Sequence, residues 1–314
     1  MCIRDRNVIH KEIMAPVLGY VGNISKQEIF NNPELTKYSG LKVGKTGIEK
    51  DLDSALRGDI GFRIQERDSY GKLVRNISIE PPKKGKNLRL SIDLELQKKL
   101  FYDFKGRKGA LVAIEPKTGL IRALISSPTY DPNLLNTIND YDEVRNLFSD
   151  QDSPLFNRAL SGQYPPASTL KPFVGMAALE AKTISWEKEI LDSGEYLVEG
   201  DERPYRGWKE GGHGKVDMNK AIIESSDVYF YSLAYDLTVS NLSPFLEKFG
   251  FGEQSGLTIR EGTGILPSRK WKLGYKGESW FKGDTINMGI GQGYITATPL
   301  QLSLIHISEP TRPY

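Results

Sequence analysis

The chain has 314 residues, with 42 Lys and Arg set against 40 Asp and Glu. That balance points to neither nucleic acid nor an anionic surface as a partner. No apolar run approaches the roughly 20 residues needed to cross a bilayer. The single cysteine, Cys2, excludes an internal disulfide and a zinc–thiolate site.

The termini read differently from the rest. Met1-Cys2-Ile3-Arg4-Asp5-Arg6 and the stretch from Leu302 to Arg312 look like in-frame translations of a transposon-end sequencing adaptor. Residues 7–301 are therefore expected to be the protein proper, truncated at both ends.

From Asn7 to about Lys86 the chain is polar and rich in turns. Asp51 to Arg57 predicts a short helix stopped by Gly58. Tyr70-Gly71 predicts a hairpin turn between Phe62–Gln65 and Leu73–Asn76. Glu80-Pro81-Pro82-Lys83-Lys84-Gly85-Lys86 reads as a linker, with a domain boundary at 86/87. Beyond it, Leu88–Ile92 alternates as a strand, and Asp93 caps a helix over Leu94–Phe104. Gly109–Ile114 and Leu120–Ile125 form a hairpin about Glu115–Gly119, and helices dominate from about Pro172 to Phe249. A sheet built from both ends around a helical middle is an α+β arrangement.

The chemistry gathers at Tyr164-Pro165-Pro166-Ala167-Ser168-Thr169-Leu170-Lys171-Pro172. A residue before proline is pushed out of the helical region, so the approach is extended. The apolar stretch Phe173–Leu179 then predicts a buried helix, whose first turn is Ser168–Lys171. First-turn N–H groups lack helical partners and favour negative charge. At spacing i, i+3, Lys171 shares a face with Ser168, and a desolvated neutral lysine can take a serine proton. Ser-x-x-Lys also begins at Ser39, Ser69, Ser185 and Ser279. Only the copy at Ser168 stands between a proline breaker and an apolar helix.

Downstream, Asp217 caps a helix from Met218 to Glu224, and a second apolar helix begins at Val228. Ser225-Ser226-Asp227 lies between them. Residues i and i+2 share no helix face. Ser225 and Asp227 converge only on an interhelical turn; a solvated loop with an aspartate cap is the alternative.

In this order the boxes resemble the penicillin-binding transpeptidases, whose Ser-x-x-Lys precedes a Ser-x-Asn box and a later Lys-Thr-Gly strand. The spacing of 57 residues between Ser168 and Ser225 is natural for that family. Further stretches resemble its penicillin-binding protein 2 branch, the class B transpeptidases of cell elongation. They are Asp131-Pro132-Asn133, Asn157–Leu160, Tyr205-Arg206-Gly207-Trp208, His213-Gly214, Gly283-Asp284-Thr285, Gly289–Tyr294 and Ala297-Thr298-Pro299. That branch often carries aspartate in the second box, as at Asp227.

Lys45-Thr46-Gly47 and Lys117-Thr118-Gly119 spell the third box, but both precede the serine and the second is ordinary turn chemistry. By resemblance the true strand lies beyond Gln301. Gly289-x-Gly291-x-Gly293 lacks the setting of a dinucleotide loop. By resemblance it packs behind the cleft. His213, without a cysteine, reads as a packed or loop histidine rather than a metal ligand. Trp208 is either a substrate contact at the cleft mouth or a core residue.

The resemblance implies a penicillin-binding (serine β-lactamase-like) transpeptidase domain over 87–301, missing its C-terminal strands. Part of a mixed α/β pedestal precedes it over 7–86. It implies Ser168 as nucleophile, Lys171 as base, Ser225 as proton relay and Asp227 as the residue orienting Lys171. No cofactor or metal is implied. The implied partners are peptidoglycan stem peptides ending in D-Ala-D-Ala, β-lactams, and a membrane polymerase of the elongation machinery. The implied place is the periplasmic face of the inner membrane, held by one N-terminal anchor. A D,D-carboxypeptidase or β-lactamase shares the boxes but not the pedestal, and a non-catalytic penicillin sensor would acylate without turnover. A chain ending before the third box is expected to be inactive.

Overall fold

The computed structural model describes residues 6–38, 40–136, 141–198, 200 and 203–305. Most of the two adaptor-like stretches, and Ser39 of one Ser-x-x-Lys copy, fall outside these. The chain divides into two compact units, Met1–Ala159 with Leu257–Arg260, and Leu160–Gly256 with Glu261–Tyr314. This packing division lies well past the proline-rich linker. Lys83 and Asp59 exchange backbone hydrogen bonds of 3.0 Å, and the Lys86 N–H donates to the Ala55 carbonyl at 2.7 Å. The linker is thereby tied into the first unit.

Within the first unit, Phe62–Arg67 pairs antiparallel with Leu73–Glu80. Its turn is held by the Asp68 carboxylate, which accepts from the Tyr70 and Lys72 N–H groups. The helix expected over 51–57 is two, Gly47–Asp51 and Asp53–Arg57, broken at Leu52 and stopped by Gly58 at φ 71°. Asp93 caps Leu94–Phe104, accepting from the N–H groups of Glu95 and Leu96. Gly109–Ile114 and Ile121–Ser127 form the second hairpin.

Leu88–Ile92, expected as a strand, joins no ladder. The reason is the fully buried Gln97. Its amide accepts from the Leu124 N–H and donates to the Leu124 and Ile13 carbonyls, at 2.8 to 2.9 Å. A side chain therefore occupies the strand edge that Leu88–Ile92 needs. Asp93 N–H to Arg122 O, Ser91 Oγ to Ile121 O and the Arg122 guanidinium to Ser91 O remain.

The second unit is built on Lys171–Glu180, the helical stretch Asp227–Glu247, which is kinked at Thr238 with φ 61°, and Lys282–Gly289. They share an apolar core with Phe230, Leu233, Leu237, Ile286 and Met288. Two glycines permit the close approach. A Cβ on Gly175 would sit 2.9 Å from Met218 Sδ, and one on Gly289 would sit 2.4 Å from the Ala234 Cβ. Small hairpins, Ile190–Asp192 with Gly214–Val216 and Glu195–Tyr196 with Tyr205–Arg206, fill the interval between the helices.

The serine turn is laid against the segment that follows Lys282–Gly289. Tyr164 and Ala297 exchange backbone bonds, and the Ala167 N–H donates to the Gly291 carbonyl at 2.9 Å. Gly291 has φ +69°, and a Cβ there would lie 2.2 Å from the Ala167 carbonyl oxygen. Gly291→Ala should therefore cost roughly 1–3 kcal/mol in backbone strain alone. Urea unfolding monitored by tryptophan fluorescence measures this, and a variant as stable as the parent would mean the turn does not rest on Gly291.

Candidate active site

Proline chemistry and a buried helix place the serine. Pro166 is the last residue before a 3₁₀ turn, Ala167–Leu170, that runs directly into the helix Lys171–Glu180 with Pro172 in its first turn. Ser168 is exposed on that turn, which precedes the α-helix instead of forming its first turn as expected. Ala167, at φ 50°, turns the chain into it. Lys171, by contrast, is 2% exposed.

Asp217 caps Met218–Ile223, its carboxylate accepting from the Lys220 N–H. The next helix is capped by the buried Ser226, which accepts from the Tyr229 N–H. Asp227 is thus the first helical residue and not the cap, and Ser225-Ser226-Asp227 is an interhelical turn. Ser225 has φ 54°, a left-handed conformation costly for a residue with a Cβ. This twist turns both its carbonyl and its hydroxyl toward Lys171.

The predicted residues converge. Lys171 Nζ donates to the Ser225 carbonyl at 2.7 Å, to Ser225 Oγ at 3.0 Å and to Asp227 Oδ1 at 2.6 Å. All three protons of the ammonium are used. Ser225 Oγ lies 3.1 Å from Ser168 Oγ. The hydrogen bonds therefore run from Lys171 to Ser168 by way of Ser225, rather than directly across the helix face. Burial pulls the Lys171 pKa below its ordinary value, outweighing the Asp227 hydrogen bond and charge and the Asp192 charge, which raise it.

Trp208 is 62% exposed, which removes the core reading. Its backbone N–H donates to Asp227 Oδ2 at 3.0 Å and its indole N–H to the Ser225 carbonyl at 3.1 Å. His213 is packed, its side chain 3% exposed beside Asp192. Among the described residues no group of three His, Cys, Asp or Glu could hold a metal ion. Thr46 stands at the start of the helix Gly47–Asp51, and Lys117–Gly119 forms the hairpin turn, both in the first unit. Sequence reasoning missed Ser226 and Asp192. A Ser-Ser-Asp run does not say which residue caps, and Asp192-Ser193-Gly194 reads as an ordinary turn.

Removing Asp227 leaves a buried ammonium short of an acceptor. Asp227→Ala should cost about 3–5 kcal/mol in urea unfolding near neutral pH. Lys171→Met with Asp227→Leu should cost much less, because the charge leaves with its partner. Equal losses for the two proteins would mean that the pair is not the buried unit it forms here.

Known proteins resemble this chain over most of its length. The family described as penicillin binding protein transpeptidase domain matches residues 109–305, and the penicillin-binding protein dimerisation domain matches 3–90. The peptidoglycan D,D-transpeptidase MrdA of Acinetobacter baumannii is 40% identical over 297 residues, covering 94% of this chain and 44% of the relative. That of Escherichia coli K12 is 38% identical over 292 residues, covering 91% and 46%. The chain spans less than half the length of these relatives. Among solved structures, Pseudomonas aeruginosa PBP2 in complex with WCK 5153 is 40% identical with a TM-score of 0.84, over 95% of this chain and 62% of that one. Helicobacter pylori PBP2 in complex with MreC is 34% identical with a TM-score of 0.85, over 94% and 55%. The fold is a transpeptidase domain preceded by a dimerisation domain. The chain belongs to the penicillin-binding protein transpeptidase family.

Proposed function

We propose that this chain carries the acylating centre of an elongation-type peptidoglycan D,D-transpeptidase. The observation that carries the reading is the chain of contacts Ser168–Ser225–Lys171–Asp227. Ser168 Oγ attacks the carbonyl carbon of the penultimate D-alanine in a stem peptide. Its proton passes to Ser225, whose own proton passes to Lys171 in the neutral form that burial favours. The C–N bond then breaks, and the terminal D-alanine leaves with the proton returned through Ser225. An amine of a neighbouring stem takes the acyl group and frees the serine. Asp227 fixes Lys171 and Trp208 fixes Asp227. β-Lactams, which present a strained amide in place of the D-Ala-D-Ala bond, acylate the same oxygen.

The dimerisation-domain match over 3–90 favours this reading over a stand-alone carboxypeptidase or β-lactamase. MreC accompanies the Helicobacter pylori relative, and an elongation assembly with a membrane polymerase is the corresponding partner here. The reaction belongs to the periplasmic face of the inner membrane. No helix among the described residues is long and apolar enough to cross a membrane.

The native full-length protein should be labelled covalently by a fluorescent penicillin, and Ser168→Ala should abolish labelling. Mass spectrometry of the labelled peptide identifies the oxygen. A wild-type rate in Ser168→Ala would exclude Ser168 as nucleophile.

A further inference from the structure

Behind the Ser225–Asp227 turn lies a second polar cluster that the acyl-transfer chain does not use. The Asp192 side chain is 2% exposed, on the short strand Ile190–Asp192. Its carboxylate accepts from Ser226 Oγ at 2.6 Å and from the Gly194 N–H at 2.8 Å, and lies 2.7 Å from His213 Nδ1. Burial works against the Asp192 charge, but these three bonds outweigh it and hold its pKa below the usual carboxylate range. The other His213 nitrogen, Nε2, is buried without a partner.

The cluster touches the catalytic turn from two sides. Ser226 joins Asp192 to the N-terminus of the helix that begins with Asp227. On the other side the His213 ring packs on Trp208, with centroids 5.4 Å apart. Trp208 in turn donates to both Ser225 and Asp227. Three acceptors must meet one ammonium, and two are offered by a left-handed Ser225 that would relax if released. The geometry points to Asp192 and His213 as positioning residues, which hold the Ser225–Asp227 turn and Trp208 in register for acyl transfer.

This rests on the acyl-enzyme reading above, and it adds a pH signature. The charges that act on Lys171 are Asp227 and, after it, Asp192, both of which favour the ammonium. Removing the Asp192 charge lets Lys171 lose its proton at lower pH. General loosening of the fold has no such sign.

The test follows acylation of the native full-length protein by a fluorescent penicillin across neutral and alkaline pH, with the thermal midpoint alongside. Asp192→Asn keeps an acceptor for Ser226 while losing the charge. The limiting rate should fall by roughly ten- to a hundredfold, and the alkaline-activation limb should move to lower pH. An unchanged rate would overturn the inference, and so would a rate loss with the limb unmoved. If Asp192→Asn does not fold, His213→Asn and His213→Leu decide. The amide can replace the imidazole N–H bond to Asp192 and leucine cannot, so the first should keep most of the rate and the second lose it; equal rates would overturn the inference. An unlabelled wild type sinks the acyl-enzyme reading and this inference together. A labelled wild type with an unaltered Asp192→Asn sinks this one alone.

Discussion

A buried ammonium has to be surrounded by acceptors, and the second unit is arranged to supply them to Lys171. Removing such a charge from water costs several kcal/mol unless each N–H finds a partner. A carbonyl, a hydroxyl and a carboxylate meet that need, and all three come from one turn. Because Ser225 contributes two of them, its backbone has to enter the left-handed region at φ 54°. The strain and the burial are two sides of one compromise. The same bonds that satisfy the ammonium bring Ser225 Oγ to 3.1 Å from Ser168 Oγ, so the electrostatic requirement also builds the proposed proton route.

Lys171 is therefore poised between opposing influences. Burial favours the neutral amine, while Asp227 and Asp192 favour the ammonium, and burial prevails. An amine held this way is neutral at a lower pH than a surface lysine, yet remains anchored when protonated. Ser168 is placed by steric means instead. Gly291 lets the serine turn lie directly on the segment behind it, and Gly175 and Gly289 let the helices close. Charge arranges one partner and the absence of side chains arranges the other.

Much of this arrangement was legible in the residues. The proline breaker before an apolar helix singled out Ser168–Lys171 among five copies of its pattern, and Asp93 and Asp217 announced their helices as caps. What escaped depends on tertiary partners. Leu88–Ile92 alternates like a strand, but Gln97, in a helix, takes the edge it would have used. Ser226 was hidden beside Asp227, since either residue can cap a helix and only packing selects one. Asp192 and His213 are 21 positions apart, and nothing local announces their contact. Trp208 left two readings open because an aromatic residue suits a core and a cleft mouth equally.

The account turns on the protonation of Lys171 within its three acceptors. Titration of the Lys171 Nζ by heteronuclear NMR, in the parent and in Asp227→Asn, measures this most directly. The account predicts a midpoint below the ordinary lysine value in the parent and lower still in the variant, because the carboxylate that favours the ammonium is gone. A parent midpoint at or above the ordinary value, or one that Asp227→Asn leaves unmoved, would contradict it.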